Sequence, residues 1–118
     1  MGLTEADAKA LVNEGVLSAD YDEHEEAIEF YDKALKIIET SETYLNKGIS
    51  LVELEKYEDA VTCYDKAATL DTNDSLIWYN RGVELTQLEK FDDAYPVMKS
   101  QLRDLLAMQM HGITRQNF

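Results

Sequence analysis

The sequence has few of the residues that interrupt or cross-link a chain. Its 118 residues include one proline, five glycines and one cysteine, Cys63. So little proline and glycine leaves no room for a long linker, which predicts one domain, residues 1–118. A single cysteine cannot form a disulfide within the chain, and this is typical of proteins in a reducing compartment.

Basic residues are also scarce. Lysine and arginine number 11 against 24 aspartates and glutamates, so the formal charge is −13. Nucleic acids and anionic membranes are bound by basic patches, so this balance argues against both as partners. A protein partner that is basic or partly apolar suits the charge better.

Long apolar runs are missing as well. No stretch has the length and apolar character of a membrane span, and the first residues lack the basic region and apolar core of a signal peptide. From these absences and the single cysteine we expect a cytoplasmic protein.

What the sequence does contain is a pattern that returns about every 34 residues. The repeated positions are Leu11, Tyr44 and Trp78; Gly15, Gly48 and Gly82; Ala27, Ala60 and Ala94. Between them, apolar residues at spacings of three and four predict two amphipathic helices in each copy. No segment shows the alternation typical of a strand.

The predicted helices cover about 5–19, from 23 onward, 41–54, 57–70 and 75–88, with a sixth that begins after Asp93 and runs to about Met108. Thr4 with Asp7 is a capping-box pattern, and Ser41 and Asp74 are the predicted N-caps of the third and fifth helices. Pro96 is tolerated in the sixth helix because it falls in the first turn, where its missing N–H costs no hydrogen bond.

The repeated residues have packing roles in this interpretation. Small residues let the two helices of a copy approach closely, with Gly48 predicted to face Ala60. The large residues Tyr44 and Trp78 are predicted to fill the space beside that contact. Tyr64, with its counterpart in the first copy, is predicted to pack between successive copies.

The spacing Trp78-x3-Gly82 with Ala94, and Tyr44-x3-Gly48 with Ala60-x3-Tyr64 and Ala67, resembles the tetratricopeptide repeat. The resemblance covers roughly residues 8 to 108. It implies an all-α solenoid of three antiparallel helical hairpins with a right-handed superhelical bend. The repeats are 8–40, 41–74 and 75–108, followed by a short tail, 109–118. The family's usual leucine before the glycine is replaced by Glu14, Lys47 and Arg81.

In proteins with this repeat, the first helices line a concave groove that holds a peptide or helix of a partner protein. The resemblance therefore implies a scaffold or adaptor that binds an apolar peptide or an amphipathic helix. The implied groove residues are Val12, Val16, Leu45, Asn46, Ile49, Val52, Leu76, Tyr79, Asn80 and Val83.

One subtype of the family clamps the acidic C-termini of heat-shock chaperones with five basic or amide residues. Only Asn46 matches that set. The other four positions hold Val12, Val16, Leu76 and Asn80. We therefore expect no chaperone-tail clamp.

The sequence shows no motif of a catalytic, metal or cofactor site. Cys63, His24 and His111 fall on different predicted helices, and no pair has the spacing of metal ligands. There is no glycine-rich phosphate loop and no nucleophile motif, so we expect no enzyme, no cofactor and no metal. The alternative to partner binding is a self-associating scaffold, a homodimer formed through the groove or through the last hairpin. The residues of the last hairpin concerned are Met98, Leu102, Leu105 and Met108.

Overall fold

The computed structural model describes residues 2–88 together with Arg103 and Ala107. The described helices are α1 (Glu5–Asp20), α2 (His24–Ile37), α3 (Ser41–Glu53), α4 (Tyr57–Leu70) and α5 (Ser75–Gln87). None of the described residues lies in a strand. Each helix packs chiefly against its neighbours in the chain, so α1–α2 and α3–α4 form hairpins and α5 follows on α4. The chain is an all-α solenoid of helical hairpins, as the sequence predicts.

The predicted sixth helix lies almost wholly outside the described residues, as does the tail after it. Arg103 and Ala107, within its predicted span, are helical and exposed. The prediction for Pro96 and the four self-association residues from Met98 to Met108 falls outside the described part of the chain.

Side-chain caps set three of the helix starts. Thr4 accepts a hydrogen bond from the Asp7 amide and donates its own amide to the Asp7 carboxylate, which confirms the capping box. Asp74 caps α5, as predicted. The predicted cap of α3 is wrong by one residue. Thr40, not Ser41, accepts from the Thr43 amide, because Ser41 is already the first residue of the helix.

The two hairpins turn in the same way. After α3, the amide of Lys56 donates to the Leu51 carbonyl and that of Glu55 to the Val52 carbonyl, both at 2.8 Å. Glu55 itself has a φ of 60°. This is the Schellman termination, in which the residue after the cap is left-handed and is usually glycine. Asp22 repeats it after α1, with a φ of 62°.

Glycine at the left-handed turn position should stabilise the protein. We expect Glu55→Gly to raise the free energy of unfolding by about 0.5–1 kcal/mol, because a side chain at positive φ costs more than the extra chain entropy of glycine. Thermal unfolding followed by circular dichroism checks this. Lys56→Gly, one residue on, is the control and should not stabilise. A lower melting temperature for Glu55→Gly would contradict the strain argument.

The core consists of two clusters, one for each complete hairpin. Tyr31 in the first and Tyr64 in the second are each 1% exposed, and Ala27, Ala60 and Ala67 are fully buried at 0%. Ile28 and Leu35 of α2 pack against the cluster of the second hairpin, so α2 contributes side chains to both clusters.

The repeated glycines make room for these tyrosines. A Cβ built on Gly48 would lie 2.4 Å from Cε1 of Tyr64, and one built on Gly15 would lie 2.4 Å from Cε1 of Tyr31. The sequence pattern predicts Ala60 opposite Gly48 and Tyr64 between successive hairpins. The structure adds a contact to this, because the ring of Tyr64 lies directly on the glycine of its own hairpin, while Tyr64 shares its core cluster with Ile77 of α5. A small residue in the first helix therefore accommodates a large one in the second.

The counterparts Tyr44 and Trp78 differ in burial. Tyr44 is 6% exposed and its hydroxyl donates to Glu39. Trp78 is 46% exposed, with its indole N–H donating to the Thr72 carbonyl at 2.9 Å. That bond holds the ring over the turn before α5, so Trp78 is less enclosed among the described residues than the sequence predicts.

Candidate functional site

The helices α1, α3 and α5 leave a set of apolar side chains open to solvent. Val16 of α1 is 37% exposed and Ile49 of α3 is 40% exposed, while Leu76 and Tyr79 of α5 are 51% and 68% exposed. We call these four residues the apolar row. All four are among the residues that the sequence assigned to the groove. Exposed apolar side chains, where they are contiguous, commonly mark interaction surfaces.

Two other predicted groove residues lie in the core. Val12 is 8% exposed in the first cluster and Leu45 is 9% exposed in the second. Each lies one helical turn before a member of the apolar row. Tyr79, at the same repeat position on α5, is by contrast exposed. The remaining predicted groove residues are half-buried: Asn46, Val52, Asn80 and Val83. A probe of the groove must therefore avoid Val12 and Leu45, because changing them alters the core.

A cavity of about 610 Å³ lies between α1 and the start of α3. Its charged lining residues are Glu5, Lys9 and Glu42, and Val12 and Ile38 form part of its apolar wall. Two carboxylates against one ammonium give the opening a negative balance. A basic or neutral group is favoured there over an anion.

Two ion pairs link successive hairpins. Nζ of Lys47 on α3 lies 2.7 Å from Oδ1 of Asp32 on α2, and Arg81 on α5 pairs in the same way with Asp65 on α4. The two aspartates are one repeat apart, as are the two cations. These basic side chains are thus engaged between hairpins, where they replace the family's usual leucine.

A buried carboxylate lies on α5 at its contact with α4. Glu84 is 5% exposed, and its Oε2 has no hydrogen-bond partner in the described structure. Burial raises the pKa of Glu84 above its ordinary value of 4.5. Nearby Tyr64 also has a raised pKa, first through burial and then through the charge of Glu84, so it stays neutral. Glu84 therefore costs stability when it is ionised.

Replacing Glu84 with glutamine should stabilise the protein at neutral pH. A carboxyl with a raised folded-state pKa lowers stability increasingly as the pH rises above the unfolded-state pKa, and the loss is complete above the folded-state pKa. Below the unfolded-state pKa both states are protonated and there is no loss. We expect Glu84→Gln to add about 1 kcal/mol at pH 7 and nothing in acid. Melting temperatures across pH for this variant and for exposed Glu53→Gln check this. A gain that is equal at both ends of the pH range would contradict it.

The reactive side chains of the described residues have structural surroundings. Cys63 is 6% exposed, and burial raises the pKa of its thiol, which keeps it protonated. Nδ1 of half-buried His24 lies 3.3 Å from the Ser50 hydroxyl, and its Nε2 lies 3.6 Å from Asp22. Ser50 is 1% exposed, so this trio joins two hairpins and offers no accessible nucleophile.

No group of three or more potential metal ligands occurs among residues 2–88 and the two described positions beyond them. Over the same residues, no helix is both long and apolar enough to cross a membrane.

Family comparisons agree with the repeat pattern. The family described as "Tetratricopeptide repeat" matches residues 8–40, and that described as "TPR repeat" matches residues 48–89. The chain belongs to the tetratricopeptide-repeat family. Tetratricopeptide repeats indicate a protein–protein interaction module, and the family is generally not catalytic. No curated protein matches the chain significantly.

Solved structures share the fold. The chain in "CopN-Scc3 complex" superposes with a TM-score of 0.75 at 18% identity, covering 82% of this chain and 58% of that one. "MamA RS-1 ArsTM double mutant" gives 0.72 at 28% identity over 78% and 52%. YrrB, described as a TPR protein with an unusual peptide-binding site, gives 0.72 at 28% identity over 82% and 50%. This tetratricopeptide-repeat chain thus spans little more than half the length of these structures.

The contacts between repeats were not foreseen from the sequence. The signal was present, since Lys47 and Arg81 share one repeat position and Asp32 and Asp65 share another. The tetratricopeptide-repeat pattern has leucine at the position of Lys47 and Arg81, so it marks the two cations as unusual but does not indicate their aspartate partners. Glu84 gave no such signal, because its counterpart Ser50 is neutral.

Proposed function

We propose that this tetratricopeptide-repeat protein is a non-catalytic cytoplasmic adaptor that binds an apolar peptide or an amphipathic helix of a partner protein in the groove of its first helices. The observation that carries the proposal is the apolar row, four large apolar side chains from 37% to 68% exposed on three successive first helices. Contact with a partner would remove them from water, at about 25 cal/mol for each Å² buried.

The half-buried side-chain amides of Asn46 and Asn80 are available to hydrogen-bond a peptide ligand in one orientation. They occupy the same repeat position on α3 and α5, and no hydrogen bond within the described structure engages either side chain. A carboxamide offers both a donor and an acceptor. The pair is therefore suited to the main chain or polar edge of a peptide whose apolar side chains lie on the row.

Charge narrows the partner further. The cavity beside α1 has a negative balance, the chain carries −13, and Lys47 and Arg81 are paired with aspartates. We propose a ligand with basic residues beside its apolar ones, and no clamp for acidic chaperone tails. The structurally similar YrrB is described as having a peptide-binding site, which is consistent with a peptide ligand here.

The test uses synthetic amphipathic helices as probes, one of leucine and lysine and one of leucine and glutamate. Titrating each into ¹⁵N-labelled protein should shift the amides around Val16, Ile49 and Tyr79, and the lysine probe should bind more tightly. Shifts confined to α2 and α4, or no shifts with either probe, would overturn the proposal.

Matched variants distinguish binding in the groove from nonspecific hydrophobic binding of the probe. We expect the double variant Ile49→Gln and Tyr79→Gln to weaken the lysine probe about tenfold, or ~1.4 kcal/mol, because each side chain loses apolar contact. The control is Leu70→Gln on α4, whose side chain is 48% exposed but lies on a second helix. Equal weakening by the control would contradict a groove site.

A further inference from the structure

The cavity between α1 and the start of α3 lies on the same side of these helices as the apolar row. Lys9 lines the cavity and precedes Val16 of the row by seven residues, or two helical turns. Glu42 lines it too and precedes Ile49 by the same interval. Residues seven apart in a helix lie on one face. The cavity, which we call the α1–α3 cavity, is therefore part of the same groove.

The size and walls of the α1–α3 cavity suit a long side chain with a charged end. Its volume is about 610 Å³, and ligand sites commonly have about 300–1,000 Å³. Buried Ala8 and Val12 and half-buried Ile38 form its apolar wall. Lysine and arginine pack their methylene stems against apolar surface of this kind while the charged group stays at a polar edge.

The charged side chains of the cavity favour one additional cation. Glu5 and Glu42 contribute two carboxylates and Lys9 one ammonium, a formal charge of −1. All three side chains are exposed, and none of them forms an ion pair within the part of the chain that the structure describes. One lysine or arginine side chain would make the lining neutral and would form charge-assisted hydrogen bonds with the carboxylates.

The two carboxylates also have a role in their own helices. Glu5 and Glu42 lie in the first turns of α1 and α3, where a negative charge interacts favourably with the helix dipole. Removing either carboxylate should therefore lower stability slightly even when no ligand is bound. Only a binding measurement separates this structural role from recognition of a cation.

The α5 end of the groove is apolar at the corresponding position. Lys9 and Glu42 share one repeat position, and their counterpart on α5 is Leu76, which is exposed. Tyr79, one turn later, is exposed as well. Across the three first helices the surface thus changes from charged at α1 and α3 to apolar at α5. A ligand that matches it has a basic residue at one end and large apolar residues at the other.

We propose that the α1–α3 cavity takes one lysine or arginine side chain of the bound partner segment and thereby fixes the order of the ligand along the groove. The basic end of the ligand lies at α1 and α3, and its apolar end lies at α5. Glu5 and Glu42 bind the cation, and Lys9 disfavours a second one. The inference rests on the proposed function, because it assigns a subsite within the same groove.

Single amino-acid amides test the cavity by itself on the full chain. The probes are Nα-acetyl-arginine amide, Nα-acetyl-lysine amide and Nα-acetyl-citrulline amide, a neutral analogue of the arginine probe. In ¹⁵N-labelled protein the two cations should shift the amides of Lys9, Asn13 and Glu42, all of which line the cavity. The citrulline probe should bind about tenfold more weakly, because it lacks the charge. Equal binding of citrulline, or no shifts at these residues with either cation, would overturn the proposal.

Variants with opposite effects distinguish the cavity from the general charge of the protein. Glu42→Gln should weaken the arginine probe about threefold, because one of two carboxylates is lost. Lys9→Gln should strengthen it by about the same factor, because the repelling ammonium is gone. Glu53→Gln removes an exposed carboxylate at the other end of α3 and should leave binding unchanged. Equal weakening by Glu42→Gln and Glu53→Gln would overturn the proposal, since it would show attraction by the acidic surface as a whole.

A spin-labelled helix tests the order along the groove. The probe is a helix of leucine and glutamine with one arginine at one end and a nitroxide at the other. The nitroxide should broaden the amide signals around Tyr79 more than those around Lys9, whichever end carries the arginine. If the helix shifts the apolar row but the nitroxide broadens both sites equally, this inference is overturned and the proposed function stands. If the arginine probe binds but the helix leaves the apolar row unshifted, the proposed function fails, and with it the cavity's assignment to a ligand groove.

Discussion

Tyr64→Ala is expected to lower the free energy of unfolding by about 3–5 kcal/mol, the range for removing a buried aromatic ring. Tyr64 is 1% exposed and lies at the centre of the second-hairpin cluster, against Gly48. Gly48 has no side chain that could move into the space that the ring leaves. Against a total stability of about 5–15 kcal/mol for a domain, this loss brings the protein close to unfolding. Urea denaturation followed by circular dichroism measures it.

Tyr79→Ala is the matched control for that loss. It removes the same ring from a position that is 68% exposed, so we expect a change within about 0.5 kcal/mol. The two variants remove the same side chain and differ in how deeply that side chain is buried. If both variants lost the same stability, the ring's place in the cluster would not be the cause.

Gly48→Ala is expected to be the second most harmful change, with a net loss of up to about 2 kcal/mol. Alanine is better than glycine inside a helix by about 1 kcal/mol, so the substitution would stabilise an exposed helix. Here the new methyl would lie 2.4 Å from the Tyr64 ring, and overpacking a core costs about 1–3 kcal/mol, sometimes more. The ring is fully enclosed and cannot swing away. Gly2→Ala, with nothing within 4 Å, is the control.

A double-mutant cycle ties these two expectations to one contact. In the Tyr64→Ala background the obstacle to a methyl at position 48 is gone, so adding Gly48→Ala should be neutral or stabilising. The coupling between the two sites should therefore be favourable and exceed about 1 kcal/mol, which is the size seen for residues in contact. Strictly additive losses would show that the glycine is needed for some reason other than the tyrosine.

Repetition made most of the fold predictable. Gly15 and Gly48 share one position and Tyr31 and Tyr64 another, so each copy supports the interpretation of the next. The capping residues Thr4 and Asp74 were also predictable, because capping depends on a few adjacent residues. The cap of α3 was less so, since Thr40 and Ser41 are adjacent residues of the same chemical kind.

The exposure of the predicted groove residues could be predicted only in part. Leu45 and Ile49 are both aliphatic and one turn apart, and no property of the side chains says which one faces the core. The answer depends on the angle at which α3 crosses α4, which arises from packing such as that of Tyr64 on Gly48. For the same reason the sequence alone does not show that Glu84 is buried while Glu53 is exposed.

Packing between chain neighbours, described above as the basis of the solenoid, also bears on how the protein folds. Nearly all stabilising contacts among the described residues join positions within one hairpin or between one hairpin and the next, so little loop entropy is lost before a contact forms. Chains with such low contact order fold in about microseconds to milliseconds. A hairpin can also be gained or lost at an end without breaking distant contacts. Unfolding should therefore begin at the ends of the array and reach the cluster around Tyr64 last.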